Sequence, residues 1–154
     1  FASMIEVDEI DRKILRALVR DASKSSKSLG EELGLSQPAV WRRIKRLKDN
    51  GAIVGRRLRL DREKLGLGVM VFLGVKLATK GRVSLEDFER AVSAIPEVVS
   101  VEHVLGLYDY RLKVVARDIP DFERVLRRRI MTLPGAGQVE ANVLLSEEYR
   151  YGPL

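Results

Sequence analysis

The chain has 154 residues, 45% of them hydrophobic and 32% charged, which suits one ordinary folded domain or two small ones. It has no cysteine, which excludes a disulfide framework and a thiolate metal site, and no apolar run reaches the length of a membrane span. The formal charge of +6 lies unevenly: residues 1–62 hold 15 Lys/Arg against 9 Asp/Glu, and residues 63–154 hold 13 of each, so a basic first part adjoins a neutral second one.

The start Phe1-Ala2-Ser3-Met4 has neither a basic n-region nor an apolar core. No secretory signal is expected, and the cytoplasm is the expected location. Asp8 is a good N-cap for a first helix to about Arg20, with Ile10, Ile14, Leu15, Leu18 and Val19 as its apolar stripe. The polar stretch Asp21 to Lys27 reads as a loop, and Ser28 to Leu33 as a short second helix. Gly34 stops that helix as a glycine with positive φ does. Ser36 caps a third helix that runs to about Asn50, with Pro38 tolerated in its first turn. Val40, Ile44 and Leu47 form its buried face, and Asn50-Gly51 ends it. Ile53-Val54 begins a strand, Arg56 to Leu60 alternates basic with apolar, and Asp61 to Gly66 forms a helical turn.

Beyond Leu67 the order is β-α-β-β-α-β. Val69 to Ala78 is a strand and Thr79 to Val83 a loop. Ser84 caps a helix through Ile95, and Val98 to Val104 is the next strand. Gly106-Leu107-Tyr108-Asp109 makes a tight hairpin connection to the strand Tyr110 to Ala116. Asp118 or Pro120 starts a helix to about Leu133, Pro134-Gly135 ends it, and Val139 to Leu145 is the last strand. The fold class is therefore α+β. A helix-turn-helix, winged-helix-like domain spans residues 1–51, and residues 52–67 are a linker. A ferredoxin-like βαββαβ domain spans residues 68–154.

A short helix, a glycine turn and a capped basic helix are the parts of a helix-turn-helix, so the third helix is expected to enter a DNA major groove. With Val40, Ile44 and Leu47 inward, helical geometry turns Pro38, Trp41, Arg42 and Lys45 outward, flanked by Gln37, Arg43, Arg46 and Lys48. Gln37 suits adenine and Arg42 guanine at their major-groove edges. Lys45, Arg46 and Lys48 suit phosphates, which add affinity without sequence information. Trp41 has two readings, a groove or phosphate contact and a core or interface residue. Arg56, Arg57 and Arg59 either extend the footprint or blunt an edge strand with charge.

Enzyme signals are absent: the one histidine, His103, lies inside a strand, and there is no phosphate loop, nucleophile elbow or metal-ligand spacing. No catalytic residue, metal or cofactor is expected. Gly106 to Asp109 reads as a plain turn, with glycine for a strained φ and aspartate as a side-chain cap.

Taken together, Asp8-x-x-Asp11-x-x-Ile14-Leu15, Gly34-Leu35-Ser36 with Arg43 and Lys45-Arg46-Leu47, Gly51-x-Ile53, Gly106-x-Tyr108-Asp109-Tyr110 and Pro134-Gly135 occur in one order. From Val7 to Glu148 the chain resembles the Lrp/AsnC family of feast/famine transcription regulators. The resemblance implies an effector-sensing, oligomerising second domain, whose sheets pair in a homodimer, with dimers assembling into tetramers or octameric rings. It also implies an amino-acid effector held between dimers near Gly106, Tyr108 and Asp109. Where the family often carries Thr or Ser in the last strand, this chain has Val139 and Ala141, which donate no hydrogen bond. The expected function is a sequence-specific DNA-binding regulator modulated by an amino-acid-like effector. The alternative is a chromatin-like architectural protein with little sequence preference and no effector.

Overall fold

The computed structural model describes residues 4–78 and 82–154, and it divides into two units, Phe1–Arg59 with Glu148–Leu154, and Leu60–Glu147. The first unit is built on helices α1 (Glu9–Arg20), α2 (Ser26–Leu33) and α3 (Gln37–Asp49). Asp8 caps α1 in a reciprocal box: its carboxylate accepts from the Asp11 N–H at 2.8 Å, and Asp11 accepts from the Asp8 N–H at 3.2 Å. Ile14, Ala17, Leu18, Leu29, Val40 and Ile44 form the core, with Ile10, Leu33, Leu35 and Ile53 packed against it. Val19, expected on the α1 stripe, is instead exposed, and Ala17 takes the inward position one helical turn after Ile14.

Helix α2 starts two residues earlier than expected because Ser25, whose hydroxyl accepts from the Ser28 N–H at 3.1 Å, serves as its N-cap. Gly34 ends α2 at φ 70, as its sequence position predicts. The close approach within the turn falls on Gly30, where the Leu35 N–H reaches the Gly30 carbonyl at 2.8 Å. A Cβ at Gly30 would lie 2.5 Å from the Leu35 carbonyl oxygen, so any side chain there would force α2 away from the turn.

The strand expected from Ile53 is not formed, and residues 53–61 have no regular structure. A strand needs a ladder partner, and among the described residues none is paired with this segment. The Ile53 N–H bonds the Leu47 carbonyl at 2.9 Å, which anchors the start of the segment under α3. The residues from Glu148 onward pack into this unit through aromatic and arginine contacts. The Tyr149 and Tyr151 rings meet edge to face at 5.7 Å, Arg59 lies 4.4 Å over Tyr149, and Arg20 lies 5.7 Å over Tyr151. The Arg16 guanidinium donates to the Leu154 carbonyl oxygen at 2.9 and 3.1 Å.

The second unit begins with the expected turn, where Leu65 and Gly66 N–H groups reach the Arg62 and Glu63 carbonyls at 3.1 and 3.0 Å. Its elements are β1 (Val69–Leu77), α4 (Arg82–Val92), β2 (Val98–His103), β3 (Tyr110–Ala116), α5 (Ile119–Val125) and β4 (Ala136–Val143). The sheet is antiparallel in the order β2-β3-β1-β4, the ferredoxin-like arrangement. Ser84 lies inside α4 and so is not its N-cap, and the helix stops at Val92, before Ile95. Of the expected loop Thr79 to Val83, residues 79–81 lie outside the described residues.

Strand alternation sends Val71, Leu73, Val75 and Leu77 to one face, with Leu112, Val114 and Ala116 beside them. Phe88 and Val92 of α4, and Phe122 and Val125 of α5, cover that face. Asp118 caps α5 through the Asp121 N–H at 2.7 Å, and the helix then widens into a π-helical turn over Leu126–Ile130, closed from Met131 N–H to Leu126 oxygen at 2.8 Å. The widening brings Ile130, five residues after Val125, into the same core. The other sheet face, opposite α4 and α5, carries Met70, Phe72, Gly74 and Lys76 of β1 and Arg111 and Lys113 of β3.

Asp121 ties this unit's third strand to its helix. Hydrogen bonds from Arg117 and Arg124 hold its carboxyl well below the usual carboxylate range. A depressed folded value means stability that is present above the unfolded aspartate value near ~4 and lost as pH falls through the folded one. Unfolding followed from pH 7 into acid should therefore fall less steeply in Asp121→Asn than in wild type, from a lower starting stability. Parallel acid limbs would show that Asp121 is not responsible.

Candidate nucleic-acid interface and ligand cleft

The exposed side of α3 is set by its buried side. Val40 and Leu47 are fully buried and Ile44 nearly so, which turns Gln37, Trp41, Arg42, Lys45 and Lys48 to solvent. Ser36 accepts from the Ala39 N–H at 3.3 Å, which fixes the start of the helix. Trp41 is 55% exposed, an unusual place for so large an apolar ring. Arg42 and Lys48 make no ion pair with any described residue. Lys45 meets Asp49 at 2.8 Å across one turn, a surface pair that is weak in water.

Two of the expected contact residues are turned elsewhere. Arg43 is half-buried and donates to Asp8 at 2.7 and 2.9 Å and to Asp11 at 3.1 Å. Arg46 donates to Asp11 and to the Glu6 carbonyl oxygen at 3.3 Å. Both arginines face the start of α1. The Asp11 N–H and the Arg43 guanidinium hold the Asp8 carboxyl below its usual value, and the two carboxylates raise that of Arg43.

A second set of side chains escaped the sequence reading. Beside Trp41, the residues Lys24, Ser25, Ser26, Lys48 and Arg56 line a groove of about 420 Å³ between the start of α2 and α3. The signal was the Ser- and Lys-rich stretch, read only as a loop. Arg56 joins this groove, whereas Arg57 is simply exposed and Arg59 lies over Tyr149.

In the second unit, Gly106 and Tyr108 line a cleft of about 400 Å³ with Phe72, Gly74, Arg111 and Asn142. The Tyr108 ring lies flat on β1 because residue 74 is glycine: a Cβ there would stand 2.7 Å from the ring. The Tyr108 hydroxyl donates to the Glu140 carboxylate, which pushes the phenol's pKa up. Asp109 is not among the lining residues, since its carboxylate accepts from the Leu77 N–H at 2.8 Å and pins the turn to β1. Gly106 does not adopt a positive φ, so the expected strain at that glycine is absent. The connection spans the six residues between β2 and β3 and is closed by the Val104 N–H on the Asp109 carbonyl at 3.0 Å.

Val139 pairs with Val75 and Ala141 with Leu73, so both point to the helix side of the sheet and neither lines the cleft. His103 is exposed and stacks on Tyr110 at 4.8 Å. Among the described residues no group of three or more His, Asp or Glu could hold a metal ion, and no helix is long and apolar enough to cross a membrane.

A family profile described as the AsnC-type helix-turn-helix domain matches residues 7–48, and one described as the Lrp/AsnC ligand binding domain matches residues 70–154. A proline dehydrogenase transcriptional activator of Rhizobium radiobacter is 38% identical over 140 residues, 91% of this chain and 90% of that protein. The Bkd operon transcriptional regulator of Pseudomonas aeruginosa is 36% identical over 151 residues, 97% of this chain and 99% of its own. Among solved structures, a transcriptional regulator of Neisseria meningitidis in complex with L-methionine superposes with a TM-score of 0.88 at 28% identity, over 94% of each chain.

A basic helix-turn-helix joined to a ferredoxin-like ligand domain defines a DNA-binding transcription regulator, not an enzyme. The chain belongs to the Lrp/AsnC family.

Proposed function

We propose that this regulator binds pseudo-palindromic operators in the cytoplasm as a homodimer or a larger homo-oligomer. In this reading Gln37 and Arg42 read base edges, Lys45 and Lys48 hold phosphates, and Trp41 packs at the groove wall. Arg43 and Arg46 keep the helix in place rather than contacting DNA. The observation that carries the reading is the division of α3 into one face buried by Val40, Ile44 and Leu47 and an opposite face with Trp41 exposed and Arg42 in no ion pair with a described residue. Met70 and Phe72, half-buried on the sheet face opposite α4 and α5, favour self-association, since apolar side chains on such a face gain by pairing.

An amino acid or a close derivative is the proposed effector, received by the cleft at Gly106 and Tyr108 with Asp109 as the turn's anchor. The ligand-domain match and the methionine complex of the Neisseria regulator support that class. Arg111 in the lining offers a carboxylate a charged fork.

Hydroxyl-radical footprinting on DNA enriched by the protein, alongside sedimentation, tests the assembly. Two protected half-sites about one helical turn apart, on a protein no smaller than a dimer, are expected. A monomer covering one half-site contradicts the proposal, and continuous protection without a preferred position favours an architectural protein.

A further inference from the structure

We propose that Asp11, assisted by Asp8, is a positioning residue that sets DNA specificity by withholding two arginines of α3 from the phosphate backbone. The inference rests on reading α3 as the DNA-facing helix. Five basic side chains lie on α3: Arg42, Arg43, Lys45, Arg46 and Lys48. The Asp11 side chain is only 1% exposed, although it is a carboxylate. A buried carboxylate is costly unless it is paired and hydrogen-bonded, so removing its partners is strongly unfavourable. Its partners are Arg43, at 3.1 Å, Arg46, and the Asp8 N–H of the capping box. Arg43 is further held by both oxygens of Asp8, and Arg46 by the Glu6 carbonyl.

These bonds occupy Nη1 of Arg43 and both Nη1 and Nη2 of Arg46, and they turn both guanidinium groups toward the start of α1 rather than toward a phosphate. Affinity for random DNA depends on how many phosphates a protein neutralises, and each contact adds about 0.9 to the slope of log K against log salt. With Arg43 and Arg46 tied back, α3 offers Arg42, Lys45 and Lys48, and random binding is kept low relative to base reading. The tie also fixes the roll of the helix. Arg43 and Arg46 are three residues apart on one flank, and two anchors to one buried carboxylate stop α3 from rotating about its axis.

The test uses the full chain with a random-sequence duplex, titrated between about 50 and 200 mM salt. Asp11→Asn, checked for an unchanged helical spectrum, should bind the random duplex more tightly at the low-salt end. Its slope should steepen by about one to two, since each freed arginine contributes about 0.9. Its ratio of affinities for selected over random DNA should fall. Asp8→Asn should do the same more weakly, because Asp11 still holds Arg43. As a control that leaves Asp11 its bonds to Arg46 and to the Asp8 N–H, Arg43→Gln in the otherwise native chain, checked for an unchanged helical spectrum, should leave the slope unchanged. A slope reduced by about one in Arg43→Gln, as for a true phosphate contact, overturns the inference. So does an unchanged slope in a folded Asp11→Asn. If the wild-type chain shows no salt-dependent DNA binding at all, it is the reading of α3 that fails.

Discussion

Replacing Arg42 with alanine is expected to abolish most of the protein's preference for its selected sequence while leaving its fold and its binding to random DNA nearly intact. Arg42 is exposed, makes no ion pair with a described residue, and projects opposite the Val40–Ile44–Leu47 face. A guanidinium bidentate to guanine is worth about 1–3 kcal/mol of discrimination, roughly a 5- to 150-fold loss of specific affinity per half-site. Lys48→Ala supplies the contrast. It should weaken selected and random DNA alike and shallow the salt slope by about one. Competition binding with both duplexes at one salt concentration separates the two roles. Equal losses on both duplexes for Arg42→Ala would remove it as a base reader.

The second large effect is expected at Gly74. An added methyl would stand 2.7–3.0 Å from three ring atoms of Tyr108, a distance at which the ring must leave. Overpacking of this kind costs about 1–3 kcal/mol, and here the displaced ring also loses its bond to Glu140. Gly74→Ala should therefore lower the melting temperature of the second unit and abolish binding of whichever amino acid the wild type binds in a calorimetric titration across all twenty. DNA binding without effector should persist. Retained effector binding in Gly74→Ala would place the ligand away from the Tyr108 cleft. Asp109→Ala should act by releasing the turn from the Leu77 N–H, so it tests the scaffold rather than a direct contact.

Much of the fold could be read from local rules because each element carries its own punctuation. Asp8, Ser36 and Asp118 are caps, Gly34 and Gly135 have positive φ, and Val40, Ile44 and Leu47 repeat at helical spacing. The failures share a cause, which is dependence on distant partners. Ile53-Val54 begins as a strand does and Arg56 to Leu60 alternates basic with apolar, yet alternation describes a face and not a ladder, and no described strand pairs with this segment. Residues from Glu148 onward carried no periodicity, and their packing depends on Arg16, Arg20 and Arg59, far away in sequence.

The candidate site divides in the same way. Helical geometry alone turned Pro38, Trp41, Arg42 and Lys45 outward, with Gln37 and Lys48 on the flanks, and all six are exposed. The same geometry could not foresee that Arg43 and Arg46 would be claimed by Asp8 and Asp11, more than thirty residues earlier in the chain. The doublet of aspartates at N-cap and N3 was the available clue, since a box that satisfies backbone donors also gathers negative charge opposite whatever helix packs there. The cleft in the second unit required the β1–β4 register, which turns Val139 and Ala141 away from Tyr108 and brings Glu140 to it.

The most direct test of α3 as a base-reading helix is to enrich random duplexes on the wild-type protein and compare the affinity of the enriched sequence with that of the starting mixture at one physiological salt concentration. The expected result is a two-fold-symmetric sequence bound at least ~10³-fold more tightly than the mixture, as specific regulators bind. No enriched sequence, or equal affinity for both, would contradict it.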